Sequence, residues 1–197
     1  MYGAQRQEIV AYLRRIIPYF MLSIAIFSAG VVLGVIAVRH NAELADYLRR
    51  SVVGFVEHFH GLSKPRLAAA IFLNNGLKSL GAMLLGVLLG LAPLLVLIVN
   101  GAALGAIVFL TIPVRGLERT LLAILPHGVL ELPAVWLATS IGLMLGGLAI
   151  KRLVKKADVD LRNEIARAGK FFFAAIVPLL FFAALVEAYL TPLIAMP

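Results

Sequence analysis

The residues of this chain that could do chemistry are a histidine and an acid set one helical turn apart. His127 and Glu131 lie in the run PHGVLELPA, and a spacing of four places both side chains on one face of a helix. Pro133 has no N–H, so the carbonyl of Val129 loses its helical donor. Gly128 would let a neighbouring helix approach. The run therefore combines two ionisable groups and an unused backbone acceptor within one turn.

Three kinds of chemistry fit this pair. It could form a structural hydrogen-bond network with asparagines on other helices. It could instead relay a proton, or coordinate an ion or small solute, along a wet path. It could also bind a catalytic metal together with Glu187, but a catalytic zinc takes three protein ligands and His-x-x-x-Glu supplies two. The sequence contains no HExxH motif, phosphate-binding glycine loop or nucleophile elbow. We therefore predict no catalytic residues, no metal and no cofactor.

The composition indicates that a membrane span must hold the pair. Of the 197 residues, 62% are hydrophobic and 14% are charged, whereas soluble domains have about 25% charged residues. The absence of cysteine excludes disulfides, thiolate metal sites and cysteine nucleophiles. The net charge of +8 does not predict nucleic-acid binding, because the basic residues flank apolar segments. Since an ionisable group at bilayer depth costs about 2.5–3.5 kcal/mol on insertion scales, such groups are candidates for function.

Long charge-poor stretches predict an all-α, polytopic transmembrane helical bundle. Stretch 79–114 would be about 54 Å long as one helix, so it must turn, and Pro93 marks the place. A half-helix over 79–92 that re-enters on the same side is the alternative. We predict one domain, 1–197, with five spans at about 16–38, 66–92, 94–114, 122–150 and 171–190. The predicted helix kinks are Pro93, Pro126 and Pro133.

Two connections, 41–60 and 153–169, are predicted to be amphipathic interfacial helices. Apolar residues recur in both at every third or fourth position. Gly61 is a stop signal after the first, and Asp158 and Arg162 pair at four-residue spacing in the second. Each helix is predicted to lie on a membrane surface or against another subunit. A solvated helix that contacts only its own bundle is the alternative.

Glycines at four-residue spacing predict close helix packing in four of the five spans. Each pair leaves a flat strip on which a neighbouring backbone can lie. The bundle is therefore expected to be tight. We also predict a homo-oligomer, which the glycine pairs do not by themselves indicate. The pairs are Gly30 and Gly34, Gly86 and Gly90, Gly101 and Gly105, and Gly142 and Gly146.

Polar residues of the other spans are predicted to join His127 and Glu131. In the five-span topology most of them fall in the half of the membrane opposite the N-terminus, where they could meet, and Asn100 lies deeper. The predicted intramembrane cluster is Asn74, Asn75, Asn100, His127, Glu131 and Glu187. In the five-span topology ten Lys and Arg residues lie on the N-terminal side of the membrane and eight on the other side. Since cytoplasmic loops carry an excess of Lys and Arg, this predicts a cytoplasmic N-terminus for a multi-pass cell-membrane protein.

The central motifs resemble the stage II sporulation protein M family of integral membrane proteins. The runs FLNNGLKSLGAMLLG, NGAALG and PHGVLELPAVWLATSIGLMLGG carry the similarity, over roughly residues 66–150. The resemblance implies a membrane protein of five or six helices without known catalysis. The family's namesake is a membrane scaffold for peptidoglycan hydrolases during engulfment, so an envelope hydrolase or another membrane protein is implied as a partner. The most specific residues are His127, Gly128, Glu131 and Ala134, supported by Asn75, Asn100, Gly101 and Gly105.

We therefore predict a non-enzymatic scaffold that organises partner proteins at the bilayer. A small transporter or channel for an ion, a proton or a solute, using the His, Glu and Asn cluster, is the alternative.

Overall fold

A computed structural model describes residues 2–59, 62–155 and 158–189, and these residues form seven α-helices without a strand. A short 3₁₀ helix, Leu85–Val87, follows α3, and a π-helical segment, Phe172–Ile176, joins α6 to α7. The helices are α1 Tyr2–His40, α2 Ala42–Phe59, α3 Lys64–Leu84, α4 Leu91–Arg115, α5 Leu117–Lys155, α6 Leu161–Phe171 and α7 Val177–Tyr189.

Five helical segments are long and apolar enough to cross a membrane, which confirms the predicted fold class. The helix that contains residues 79–84 begins at Lys64, so these residues do not form an isolated half-helix. The five segments are Val10–His40, Lys64–Val87, Leu91–Arg115, Gly128–Val154 and Leu161–Tyr189.

Helix α5 is the centre of the bundle, since it contacts α1, α3, α4 and α7. Ile141 and Leu145 of α5 are fully buried, and they belong to a core that includes Met83 of α3 and Ile176 beside α7. Because α5 is covered on most sides, the rotation of each surrounding helix about its own axis decides which of its residues reach this core.

The turn between α3 and α4 lies at Leu88–Gly90, not at Pro93 as predicted. Leu89 and Gly90 adopt positive φ angles of 57° and 78°, and glycine takes such an angle without a steric penalty. Pro93 lies in the first turn of α4, where a backbone N–H has no helical acceptor to lose. Proline therefore follows the turn and does not form it.

Helix α5 runs unbroken through Pro126 and Pro133 and extends five residues beyond each predicted end of its span, 122–150. Gly116, with a φ angle of 80°, separates it from α4. A single residue joins the two helices, so α4 and α5 form an antiparallel hairpin.

One of the two predicted amphipathic helices has different bounds. Helix α2 matches the segment 41–60, and its Ala45 and Leu48 pack against α1 and α4, so it contacts its own bundle. The bounds predicted for the second helix, 153–169, are wrong, because α5 continues to Lys155 and the helix, α6, begins at Leu161. Asp160 caps α6 by accepting a hydrogen bond from the Asn163 N–H (3.1 Å).

The predicted helical pair of Asp158 and Arg162 is also wrong, since Asp158 precedes the cap of α6. Gly61 and residues 156 and 157 lie outside the described ranges.

Candidate functional site

Two residues of the predicted cluster, Asn100 and Glu131, line one cavity of about 160 Å³. Asn100 belongs to α4 and Glu131 to α5. Glu131 is 7% exposed, whereas Asn100 is exposed and its Nδ2 donates to the carbonyl oxygen of Val96 (2.7 Å). The remaining walls are apolar, formed by Phe27, Ala103, Leu104, Ile107, Leu132 and Val135. The cavity thus places one carboxylate and one amide among hydrocarbon side chains.

The face of α5 on which Glu131 lies follows from its distance in sequence to Gly142. Eleven residues are close to three helical turns, so both residues lie on nearly the same face of α5. A Cβ at Gly142 would lie 2.5 Å from the Ala82 oxygen of α3 and 3.2 Å from the Pro93 Cγ of α4. Helices α3 and α4 are therefore neighbours on this face of α5 at the level of Gly142, and at the level of Glu131 the cavity is lined by α1, α4 and α5.

Lys78 of α3 does not line this cavity, to which α3 contributes no residue. Ala82 faces α5, and Lys78 lies one turn before it. Phe72, on the opposite flank of α3, packs against Phe181 of α7 with ring centroids 5.9 Å apart. Lys78 therefore lies on the flank that turns away from α7 and toward α4, and its side chain is exposed.

Asn100 lines the cavity from the α4 side. Gly101 and Gly105 of α4 face α1, and Leu97, which is fully buried, faces the core. Asn100 and Ile107 lie on the flank of α4 away from α1. We call the cavity between α1, α4 and α5 that Asn100 and Glu131 line the lateral cleft.

Glycine contacts hold the helices around this cleft. A Cβ at Gly30 would lie 2.7 Å from the Ile98 oxygen, and one at Gly34 or Gly105 would come closer still to the backbone of the facing helix. Real Cβ atoms essentially never approach within 3.0 Å. The α1–α4 crossing therefore depends on glycine, and the remaining predicted glycines make the same kind of contact: Gly101 with Phe27, Gly86 with Gly142, and Gly146 with Gly90.

The other predicted site residues do not line the cavity. Asn74 and Asn75 hydrogen-bond to each other, Nδ2 to Oδ1, at 2.9 Å. Glu187 lies on α7, which adds no lining residue. His127 is in α5 one turn before Glu131, but its side chain lies outside the described part of the structure. The cavity therefore contains two of the six predicted cluster residues, Asn100 and Glu131.

Gly128 does not make the helix contact predicted for it. Within the described residues, a Cβ at Gly128 would meet only the Leu132 Cδ1, at 3.9 Å and on its own helix. The described ranges also contain no group of three His, Asp or Glu side chains that could hold a metal ion.

Sequence reasoning missed a group of buried hydroxyls between α1 and α5. Ser23, Thr139 and Ser140 are fully buried, and the Oγ atoms of Ser23 and Ser140 lie 3.1 Å apart. Thr139 Oγ1 donates its single proton to the carbonyl oxygen of Val135 (2.8 Å) and lies 3.4 Å from Ser23 Oγ. Adjacent Thr and Ser residues in an otherwise apolar span are the signal that could have indicated this contact.

An ion pair that the sequence did not predict joins α1 to α6. Nη1 and Nη2 of Arg15 donate to the two carboxylate oxygens of Glu164, each at 3.1 Å, and Nη1 of Arg167 lies 3.7 Å from the same carboxylate. Tyr12, one turn before Arg15 on α1, packs edge-on against Phe171 with ring centroids 5.7 Å apart. The pairs fix α6 against the N-terminal half of α1.

Comparison with known proteins identifies relatives but no solved structure. The family model described as Stage II sporulation protein M matches residues 23–192, in agreement with the resemblance seen in the central motifs. The chain is 25% identical over 177 residues to an uncharacterized protein of Methanocaldococcus jannaschii, covering 89% of this chain and 94% of that protein. No solved structure matches the chain.

Proposed function

The chain belongs to the stage II sporulation protein M family, and we propose that it is a non-enzymatic scaffold that associates in the membrane and positions partner proteins there. One observation carries the proposal: polar side chains of the spans lie on the outside of the bundle. Asn100 and Lys78 are exposed within the candidate spans of α4 and α3. In hydrocarbon such groups are stabilised by polar partners, so the surface that carries them is suited to association.

The packing of the bundle supports the same proposal. Glycine contacts join α1 to α4 and α3 to α5 through their backbones, and close-packed elements of this kind deform little. A rigid frame holds its lateral surfaces in constant relative positions, which a scaffold requires. The partner we propose, following the family resemblance, is an envelope hydrolase or another membrane protein, and the N-terminus is proposed to be cytoplasmic.

The proposal is tested by photo-crosslinking in native membranes. A photoreactive residue replaces Ala103, which is exposed beside the lateral cleft, and in a matched control it replaces Met21, which is 57% exposed on α1. We expect protein adducts at position 103 and lipid adducts alone at position 21. A recurrent adduct with a second kind of protein supports the scaffold, and adducts with lipid alone at both positions would contradict it.

A small conduit is the second candidate, because the cavity contains an acid. Its volume of about 160 Å³ corresponds to roughly five water molecules. If Glu131 carries a proton or an ion, Glu131→Gln removes flux from proteoliposomes while the fold survives. Absence of flux for protons, sodium and potassium in the wild-type protein would exclude these species as cargo, and it would leave the scaffold as the better explanation.

A further inference from the structure

We propose that the surface where α1 meets α6 binds an anionic phospholipid, with Arg167 and Lys170 as the groups that contact its phosphate. We call this surface, formed by Arg15, Glu164, Arg167 and Lys170, the α1–α6 basic surface. The inference goes beyond the proposed scaffold, because its ligand comes from the bilayer and is not a protein partner. The ligand class is a phospholipid with a net negative charge, such as phosphatidylglycerol.

Helix α6 directs its two cations away from the bundle. Arg167 and Lys170 are three residues apart, so they lie on one face of the helix, and both are exposed. The other side of α6 packs inward, where Ala168 is fully buried in a core with Tyr12 and Phe172. The cations are therefore accessible from outside the bundle at a fixed place beside α1.

The ion pair with α1 holds Arg167 in position without using its donors. Glu164 is fixed by two hydrogen bonds from Arg15. Nη1 of Arg167 lies 3.7 Å from this carboxylate, which is close enough for attraction but too long for a hydrogen bond. Within the described ranges Arg167 makes no other polar contact. Its guanidinium donors can therefore bind two oxygens of a phosphate.

The surface carries more positive than negative charge. In the described part of the chain, no acidic side chain lies within the 4.0 Å ion-pair distance of Lys170. Arg15 and Arg167 share the single carboxylate of Glu164. Three cations and one acid leave two positive charges in excess, which an anionic headgroup would compensate.

These cations lie at the depth of the lipid phosphates. Lys170 directly precedes residues 171–189, the apolar remainder of the last candidate span, which is about 28 Å long at 1.5 Å per residue. That length matches a hydrocarbon core of about 30 Å, so Lys170 lies at its boundary and Arg167 about 4.5 Å farther out. Arg15 likewise directly precedes the charge-free stretch 16–38 of α1. The basic surface is therefore in the headgroup layer.

The end of α5 adds cations at the same level. Helices α1 and α5 are antiparallel, and Ser23 contacts Ser140. From that contact toward the same end of the bundle, Arg15 is about 12 Å away and Lys151 about 16 Å, at 1.5 Å per residue. Lys151 and Arg152 are exposed. They raise the positive potential around the basic surface and thus favour anionic over neutral headgroups.

Exposed apolar side chains continue the surface toward the membrane centre. Phe173, which is 66% exposed, and Ala174, also exposed, follow Lys170 by three and four residues. On α1, the exposed Pro18 and Leu22 follow Arg15 by three and seven residues. A phospholipid presents the same order, a charged phosphate followed by an acyl chain. The surface therefore matches a whole lipid better than it matches a free phosphate ion.

Tryptophan quenching by brominated lipids measures the lipid composition at this surface. Trp136 is the single tryptophan, so Trp136→Phe removes the background and Phe173→Trp places a reporter below Lys170. Phe182→Trp, at a position 59% exposed and nine residues farther along the chain, is the matched control. Phosphatidylcholine vesicles receive increasing fractions of brominated phosphatidylglycerol. Each cation near the surface is worth about fivefold in affinity, so position 173 should prefer phosphatidylglycerol about 25-fold and position 182 should show no preference.

Charge substitutions test whether these two side chains cause the preference. Arg167→Gln and Lys170→Gln should each lower it about fivefold, and Lys170→Arg should retain it. Arg119→Gln removes the same charge at the opposite end of the bundle, where α5 begins beside the exposed Glu118, and should change nothing at position 173. The preference should also fall as sodium chloride is added, because salt screens exposed charges.

A second measurement needs no tryptophan reporter. Native mass spectrometry of the wild-type protein and of the double variant Arg167→Gln with Lys170→Gln counts the phosphatidylglycerol molecules retained in detergent. We expect fewer on the double variant. An equal number on both proteins, equal lipid preference at positions 173 and 182, or a wild-type preference in both single glutamine variants would each overturn the proposal.

The results separate this inference from the scaffold function, because purified protein and lipid are the only components. Protein adducts at position 103 in native membranes, together with no lipid preference at position 173, would refute only the lipid site. A lipid preference without any protein adduct would support the lipid site and contradict the scaffold.

Discussion

Gly105→Ala should destabilise the bundle by pushing α4 away from α1. A Cβ at Gly105 would overlap the carbonyl oxygen and carbon of Val31, which are backbone atoms with no alternative rotamer. The two helices would have to separate along a crossing that also uses Gly30, Gly34 and Gly101. The substitution adds a single methyl group, so its effect reports the closeness of the backbones and little else.

The expected magnitude follows from two opposing terms. Inserting a methylene into a packed core typically destabilises a protein by about 1–3 kcal/mol. Replacing glycine by alanine within a helix stabilises it by roughly 0.5–1 kcal/mol. Gly81→Ala on α3 isolates the second term, because among the described residues no heavy atom lies within 4 Å of the Cβ that it would add. The difference between the two variants therefore equals the steric term, about 1–3 kcal/mol.

The free energies of unfolding can be compared by titrating dodecyl sulfate into mixed micelles. Trp136 is the single tryptophan of the chain, and its ring packs edge-on against Phe20 and Phe27 of α1, so its fluorescence reports loss of the α1–α5 contact. If Gly105→Ala and Gly81→Ala unfold at the same denaturant concentration, the α1–α4 crossing is not held by backbone contact and the packing argument is refuted.

Three further substitutions test other contacts. Tyr12→Phe should leave the free energy of unfolding unchanged or raise it by about 1 kcal/mol, because the buried Tyr12 hydroxyl has no hydrogen-bond partner in the described part of the chain. Thermal unfolding measures this, and a clear loss of stability would indicate that the hydroxyl has a partner. Ser23→Ala should cost about 0.6–2 kcal/mol, and combining it with Ser140→Ala should cost less than the sum of both, which a double-mutant cycle measures. Glu164→Gln should lower the free energy of unfolding by at most about 1 kcal/mol, and by less in high salt, because Arg15 is 41% exposed. A loss of stability that salt does not change would contradict an electrostatic origin of this contact.

The sequence by itself determined the class of fold and the faces on which the helices pack. Apolar length sets the number of spans, because a bilayer core requires about 20 apolar residues per helix whatever the neighbours are. The glycine pairs are equally local: four-residue spacing creates a smooth strip on one face, and the pairs of α1, α4 and α5 lie at helix crossings in the structure. Gly90 of the remaining pair lies in the turn between α3 and α4. Motifs of this kind depend on residues that are close in the chain.

Only the tertiary structure decided which polar residues share a site. Asn100 meets Glu131 in one cavity, while Asn74 and Asn75 contact each other, although all four fall within spans. That outcome depends on the order of the helices around α5 and on the rotation of each helix about its own axis. Hydropathy measures neither quantity, because both are set by contacts between residues far apart in the chain, such as Gly86 with Gly142.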